Sequence, residues 1–129
     1  MDWARADWLR ATGHGMRLKS ALWVAAYLRR CQVEGTFGVV RRRGAEEAGA
    51  IYVRIDRLNG TSDLYGPAPQ SEVDSGRGDR SFVPCLAERP APDATVEAYL
   101  TREIKFDPDV WIVEVDDADG RNFLDLVSG

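Results

Sequence analysis

The sequence predicts an α+β domain in which a largely antiparallel β-sheet carries helices packed on one face. Apolar residues recur at helical spacing in two stretches, residues 16–33 and 94–105. Two turn dipeptides, Asn59-Gly60 and Asp119-Gly120, are each flanked by alternating apolar residues, a pattern typical of β-hairpins. The predicted order is helix, four strands, helix, two strands, and consecutive hairpins favour an antiparallel sheet.

Length and composition indicate one globular domain. A chain of 129 residues has room for a single domain, which buries about 65–70% of the surface that its unfolded chain exposes. A content of 44% hydrophobic and 29% charged residues excludes wholesale disorder. We assign residues 16–129 to this domain and residues 1–15 to an N-terminal extension.

The sequence carries no feature of a membrane or exported protein. Its longest apolar run, Ala21–Leu28, is much shorter than the roughly 20 residues that a membrane span needs. The first residues lack the apolar core of a secretory signal. We therefore expect a cytoplasmic protein with reduced thiols at Cys31 and Cys85, because their separation matches no zinc or redox motif.

The first helix is predicted for Met16–Val33, with Gly35 as its stop. Trp23 and Tyr27 lie one turn apart and are predicted to pack on each other as part of the core. The apolar residues at helical spacing predict a buried stripe that consists of Leu18, Leu22, Ala25 and Ala26, widened by Ala21 and Leu28.

The first hairpin is predicted around Asn59-Gly60, after an initial strand over residues 36–43. Residues 50–58 alternate clearly, which turns Ile51, Val53 and Ile55 towards one face of the sheet. If the turn is a two-residue loop, the strand that follows places Leu64 opposite Ile55 and Asp63 opposite Asp56.

The middle of the chain predicts a loop, an edge strand and a second helix. Residues 67–78 have loop composition, and Pro84 confines a short strand over residues 80–86 to an edge of the sheet. Asp93 is the predicted N-cap of the second helix, and Asp107-Pro108 ends it. The predicted buried stripe of this helix consists of Val96, Tyr99, Leu100 and Ile104.

The second hairpin is predicted around Asp119-Gly120. A two-residue loop there sets Val115 opposite Leu124 and Glu114 opposite Asp125, with Asp116 on the same outer face. Like charges that oppose each other across a ladder destabilise it unless something compensates. We expect arginines to neutralise these carboxylates, with a divalent cation as the alternative; the arginines considered are Arg42, Arg54 and Arg102.

Charge is divided unevenly along the chain. Residues 16–58 hold nine basic and four acidic side chains, a net of +5, whereas residues 59–129 hold six and fifteen, a net of −9. The two parts are expected to neutralise each other within one sheet. The candidate binding residues are Arg41, Arg42, Arg43, Arg54, Arg102, Glu114, Asp116 and Asp125.

A nucleic-acid interface is an alternative that the overall charge disfavours. Tyr52 or Tyr65 would serve as the stacking platform beside the basic stripe of a single-strand binder. The stripe would consist of Arg29, Arg30, Arg41, Arg42, Arg43 and Arg54. A net charge of −4 is far from the basic signature of such proteins.

No recognisable catalytic constellation occurs in the sequence. The single histidine, His14, lies in the extension, where it is poorly placed to serve as a catalytic base. No Walker-type phosphate loop or complete dinucleotide motif is present, and Asp117, Asp119 and Gly120 match only a fragment of a calcium loop. We expect no cofactor and no metal, although an enzyme of unrecognised type stays open as an alternative.

Several blocks of sequence resemble one known family. The segments MRLKSALWVAAYLRR, GTFGVVRRRG, AGAIYVRIDRLNGTSDLYGPAP and YLTREIKFDPDVWIVEVDDADGRNFLDL occur in this order over residues 16–127. They are similar to the Domain of Unknown Function 1491 family of small bacterial proteins. The resemblance implies that residues 1–15 are an extension and that Met16 is the more usual beginning, and it implies no catalytic or binding residues.

A protein-binding or assembly module is the function that the sequence favours. Twelve aromatic residues, Trp3 and Trp8 among them, and a sheet with one open face would expose apolar surface. Such surface often marks an interface with a protein partner or a second copy.

Overall fold

The computed structural model describes residues 18–69 and 80–127. The predictions made for residues 1–15, and for most of the loop over residues 67–78, lie outside the described residues. The helices in this part of the chain are α1 (Ser20–Val33) and α2 (Asp93–Phe106). The strands are β1 (Phe37–Arg42), β2 (Ile51–Asp56), β3 (Thr61–Pro67), β4 (Phe82–Pro84), β5 (Ala91–Pro92) and β6 (Trp111–Asp116).

The described strands form one mixed sheet in the order β1-β6-β2-β3-β4, with β5 paired to β3. Every neighbouring pair is antiparallel except β2 and β6, which run parallel. The predicted α+β class and the largely antiparallel sheet are confirmed. The fifth strand, β5, was not predicted, because only two residues take part in it.

The C-terminal hairpin predicted around Asp119-Gly120 is wrong. β6 lies between β1 and β2, and residues 117–125 follow it as a turn and an irregular segment. Asp119 and Gly120 do form a turn, in which the Gly120 N–H donates to the Asp117 carbonyl at 3.0 Å. Trp111, Ile112 and Val113 alternate between the two faces of the sheet and are each no more than 1% exposed. Burial on both faces is typical of a strand in the interior of a covered sheet rather than of one arm of an outer hairpin.

The hairpin between β2 and β3 is confirmed, but its predicted register is wrong by one residue. Ile55 lies opposite Asp63 rather than Leu64, and Asp56 lies opposite Ser62. The loop has three residues, 58–60, because the Arg57 N–H donates to the Thr61 carbonyl at 3.0 Å. A one-residue shift moves every side chain of a strand to the other face, so Leu64 and Asp63 exchange the faces expected for them.

The two helices cover opposite faces of the sheet, rather than the single face expected from the sequence. Val24, Tyr27 and Cys31 of α1 pack in one apolar core with alternate residues of β2 and β6, namely Ile51, Val53, Ile55, Trp111, Val113 and Val115. Val96 and Leu100 of α2 pack in a second core with Leu64 and Ile112, which face the other way. The alternation of a strand explains both cores.

The helix predictions succeed in position and fail partly in detail. Helices near residues 16–33 and 94–105 are confirmed, as is the stacking of Trp23 on Tyr27, whose ring centroids lie 4.9 Å apart. The buried side of α1 was wrongly assigned, because the predicted Leu22 is 45% exposed. The residues of α1 that are buried are Ser20, Val24, Tyr27 and Cys31.

Candidate functional site

The centre of the α2 side of the sheet is occupied by a buried arginine, Arg54 of β2, which is 7% exposed. Its Nη1 donates to Glu114 Oε2 at 2.6 Å on the neighbouring strand β6. Its Nη2 lies 2.9 Å from Asp93 Oδ1 at the start of α2, and its Nε donates to Ser62 Oγ at 3.0 Å. All three nitrogens of the guanidinium therefore have polar partners, as burial of such a group requires.

A second arginine, Arg41, extends this network to the edge of the sheet. A register irregularity between Val40 and Arg42 accompanies β1 at this point. Arg41 Nη1 donates to Glu97 Oε2 at 2.6 Å and to Glu114 Oε2 at 3.0 Å, and Nη2 binds the other Glu97 oxygen. The fork geometry suits a carboxylate.

The network joins five charged side chains that come from four secondary-structure elements. These side chains are Arg41, Arg54, Asp93, Glu97 and Glu114. The Arg41 hydrogen bond holds the pKa of Glu97 below its ordinary value, and hydrogen bonds from Ser62 and then Arg54 do the same for Asp93. Burial lowers the pKa of Arg54, yet its hydrogen bonds to Glu114 and Asp93 raise it overall. These directions keep Arg54, Asp93 and Glu97 charged at neutral pH, and the network ties α2 to the sheet.

Two further carboxylates border the network, and neither forms an ion pair within the part of the chain that the structure describes. Asp116 of β6 lies beside Asp56 of β2 in the parallel register. Desolvation, then the charges of Asp56 and Glu114, raise the pKa of Asp116. Within residues 18–69 and 80–127, no group of three or more His, Cys, Asp or Glu is arranged to hold a metal ion.

The remaining candidate residues do not join this network. Asp125 was predicted to oppose Glu114, but that pairing is wrong, because the Asp125 carbonyl accepts from the Phe82 N–H at 2.9 Å beside β4. Arg42 donates to the Pro108 carbonyl at 2.8 Å. The guanidinium of Arg43 lies 5.0 Å from the Trp111 ring centroid, and that of Arg102 lies 5.8 Å from the Tyr99 ring.

Asp93, which was predicted as the N-cap of the second helix, has a different role. Pro92 occupies the cap position, and no side chain forms a cap hydrogen bond there. Asp93 is the first residue of α2, and its carboxylate accepts from Ser62 Oγ at 2.7 Å. The sequence showed that an acidic residue begins this helix, but the partner of that residue depends on the position of β3.

The sequence did not predict a cluster of side chains around Tyr52 on the α2 side of the sheet. Tyr52 OH donates to Glu103 Oε1 at 2.8 Å, and the Tyr52 ring meets Tyr99 edge-on. Burial raises the pKa of the nearby Cys85 thiol to about 11 and that of Tyr99 to about 12. The thiol and the phenols are therefore neutral at pH 7, so Cys85 lacks the thiolate character of a nucleophile.

The outer edge of β1 is the second distinctive feature of the described residues. Among the described strands only β6 pairs with β1, so the other side of β1 carries no strand in this part of the chain. Phe37 is 64% exposed, and Val39 and Val40 are 39% and 38% exposed. An open groove of about 530 Å³ runs beside this edge, between β1 and α1, and is lined by Ala25, Leu28, Arg29, Gln32, Thr36, Phe37 and Gly38.

The opposite edge of the sheet is covered. The Phe82 N–H of β4 donates to the Asp125 carbonyl, and the Val127 N–H donates to the Phe82 carbonyl, both at 2.9 Å. Leu126 forms a parallel bridge with Phe82. The C-terminal segment therefore protects β4, and β1 is left as the unprotected edge of the described sheet.

The fold and these features define a small α+β domain built on one mixed sheet. The sequence model of a family described as a protein of unknown function, DUF1491, matches residues 18–125. This chain belongs to that family, as its resemblance to the family indicated. No curated protein matches the chain.

Solved structures of similar proteins have the same fold. A crystal structure of a DUF1491 family protein from Caulobacter crescentus is 35% identical, covers 88% of this chain and 100% of its own, and has a TM-score of 0.71. An NMR structure of a DUF1491 family protein from Caulobacter crescentus is 36% identical, with the same coverage and TM-score. A solution structure of a protein from A. tumefaciens is 42% identical, with coverages of 88% and 98% and a TM-score of 0.74.

Proposed function

We propose that this chain is a protein-binding module that engages its partner through the outer edge of β1. The observation that carries the proposal is an edge strand that exposes apolar side chains and lacks a neighbour in the described part of the chain, led by Phe37 at 64% exposure. Unpaired backbone groups along such an edge are a template for a further strand, and the adjoining groove, whose lining includes Ala25, Leu28 and Phe37, can accept its side chains.

The contrast between the two edges of the sheet supports this proposal. Natural proteins cover, charge or bend an exposed edge to prevent pairing with other chains. The C-terminal segment covers β4, but residues 37–40 of β1, ahead of its register irregularity, carry no charged side chain. Apolar surface that is left open in this way often marks an interface.

We propose that this binding occurs in the cytoplasm. Cys31 and Cys85 are both free thiols in the structure, and they lie in separate regions of it. Free thiols are usual in reducing compartments. No helix in the described ranges is long and apolar enough to cross a membrane.

The proposal is tested by photo-crosslinking in cells. A photoreactive phenylalanine analogue replaces Phe37 in one strain and Phe106, which is 90% exposed at the end of α2, in another. The analogue at position 37 is expected to give a discrete crosslinked protein band, and that at position 106 is expected to give none. Adding Val39→Lys should abolish the band, because a lysine on the edge prevents strand addition.

Val39→Lys suits this test because it leaves the fold a partner for the new charge. Val39 lies opposite Glu114 in the β1–β6 register, so the ammonium can approach a carboxylate instead of being buried alone. Equal or absent crosslinking at positions 37 and 106, or crosslinking that persists in the Val39→Lys background, contradicts the proposal.

A further inference from the structure

From the same edge we infer that the partner is a second copy of this chain, bound by antiparallel β1–β1 pairing centred on Gly38. This inference rests on the proposed function and adds the identity of the partner. The pairing would join two sheets into one continuous sheet related by a two-fold axis, which is the commonest symmetry of homodimers.

The side-chain pattern of β1 is complementary to itself in this register. Centring on Gly38 sets Phe37 opposite Val39 of the second copy. It also sets Val40 opposite Thr36, which lies just before β1 and whose N–H already donates to the Cys31 carbonyl at 2.9 Å. Directly opposed residues of an antiparallel pair share a face, and each of these pairs satisfies that rule. A pair of an aromatic and a β-branched residue is among the favourable cross-strand combinations, so two Phe37–Val39 contacts would cover the most exposed side chains of this edge.

Charge also favours a copy of this chain over an acidic partner. The arginines that follow the uncharged stretch are already occupied within the chain. Arg41 is bonded to two carboxylates, Arg42 donates to a backbone carbonyl, and Arg43 lies over the Trp111 ring. An acidic strand would find no available cation in the ladder, whereas a second copy opposes no like charges between residues 36 and 40.

The irregularity in β1 limits the pairing to this register. The β1–β6 register shifts between Val40 and Arg42, so Arg41 has no partner on β6, as in a β-bulge. Pairing centred on Gly38 ends at Val40, before this point. Pairing centred on Val39 would extend to Arg41, whose guanidinium is held by Glu97 and Glu114.

The groove beside β1 adds contact area to the small area that a short ladder of paired β1 residues would bury. Leu28 overlies Gly38 so closely that a Cβ built on the glycine would lie 2.9 Å from Leu28 Cδ2. The apolar part of the groove therefore continues from the strand on to α1. Stable dimers bury more than about 1,000 Å² in total, so five paired residues and a groove of about 530 Å³ indicate a reversible, concentration-dependent dimer.

Cysteine crosslinking of the purified full chain tests the register. In the inferred dimer Phe37 and Val39 of different copies are direct neighbours, within the roughly 4.4–6.8 Å between Cα atoms that a disulfide spans. Identical positions are separated by two residues along the strand and lie more than about 7 Å apart. A mixture of Phe37→Cys and Val39→Cys proteins is therefore expected to form a mixed disulfide dimer, and neither variant alone should do so.

Sedimentation of the unlabelled protein supplies a second measurement. Its average mass is expected to rise towards twice that of the monomer with concentration, and Val39→Lys should remain monomeric with an unchanged circular dichroism spectrum. The matched control Phe106→Lys, at the far end of α2, should dimerise normally. The mixed-disulfide result does not depend on Val39→Lys folding, so the inference stays falsifiable if that variant fails to fold.

The outcomes separate this inference from the function on which it rests. A monomer at every concentration without the mixed disulfide overturns the inference, as does efficient self-crosslinking of Val39→Cys alone, which would place the axis at Val39. If the inference fails while the analogue at position 37 captures a different protein in cells, the edge is a binding site for that protein. If position 37 captures nothing, both proposals fall.

Discussion

Arg54 and Glu114 lie side by side on the parallel strands β2 and β6, with Arg54 Nη1 2.6 Å from Glu114 Oε2. This pair anchors the charged network on the α2 side of the sheet. Because Arg54 is 7% exposed, its charge depends on the surrounding carboxylates rather than on water. The network therefore contributes to the position of α2 and of β1 together.

Replacing Arg54 with methionine should destabilise the protein strongly. Arg54→Met keeps much of the apolar stem but leaves Glu114 and Asp93 without their buried partner. Breaking a buried pair costs about 3–5 kcal/mol, and partial exposure of the carboxylates lowers the expected loss to about 2–3 kcal/mol. Chemical denaturation measures this loss. Glu47→Gln, which removes the exposed pair with Lys19, is the control and should change stability by less than about 0.5 kcal/mol.

The network should also make the protein sensitive to acid. The pKa values of Asp93 and Glu97 are lower in the folded protein than their ordinary values of 3.8 and 4.5. Their contribution to stability is therefore fully present above the ordinary values and is lost as pH falls through the lower, folded-state values. Unfolding curves between pH 6 and about pH 2 should show a steep acid loss that Glu97→Gln reduces. An unchanged pH dependence in that variant would contradict the assignment.

Asp116, unlike Asp93 and Glu97, should make the folded protein less stable as pH rises. Its pKa is raised in the folded state by desolvation and by Asp56 and Glu114, so its stabilising contribution is present at low pH and is lost as pH rises. Asp116→Asn should therefore raise the melting temperature at pH 7, and the gain should vanish at low pH, where both side chains are neutral. Asp109→Asn, which removes one exposed carboxylate, is the control for the loss of a charge, and an equal gain in that variant would contradict the assignment to Asp116.

Gly120 should tolerate a side chain less well than Gly35. Both have positive φ, 78° and 85°, where an L-residue costs about 1–2 kcal/mol. A Cβ at Gly120 would lie 2.4 Å from Arg57 Cζ, whereas a Cβ at Gly35 meets nothing within 4 Å. Arg57 is held by the buried Asp63 at 2.8 Å, so displacing it disturbs that pair. Gly120→Ala should lose about 1 kcal/mol more than Gly35→Ala in denaturation; equal losses would show that Arg57 moves freely.

The sequence by itself determined the class of the domain and its local elements. Periodicity located both helices, alternation located β2, and the Asn59-Gly60 dipeptide located the first hairpin. These signals are local, since each depends on residues within a few positions of one another. The stacking of Trp23 on Tyr27 is also determined locally, because one helical turn brings the two rings together.

Tertiary structure alone decided where β6 lies and, with it, the charged network. Alternation around Asp119-Gly120 fits a hairpin, but pairing β6 with β1 and β2 buries it on both sides and sets Glu114 beside Arg54 rather than opposite Asp125. The local pattern also failed to give the register of the β2–β3 hairpin, which is shifted by one residue. Loop length sets the register, and the turn dipeptide does not fix the length of the loop at residues 58–60. Contacts between distant segments gain their energy only when the whole sheet is assembled, so no local pattern records them.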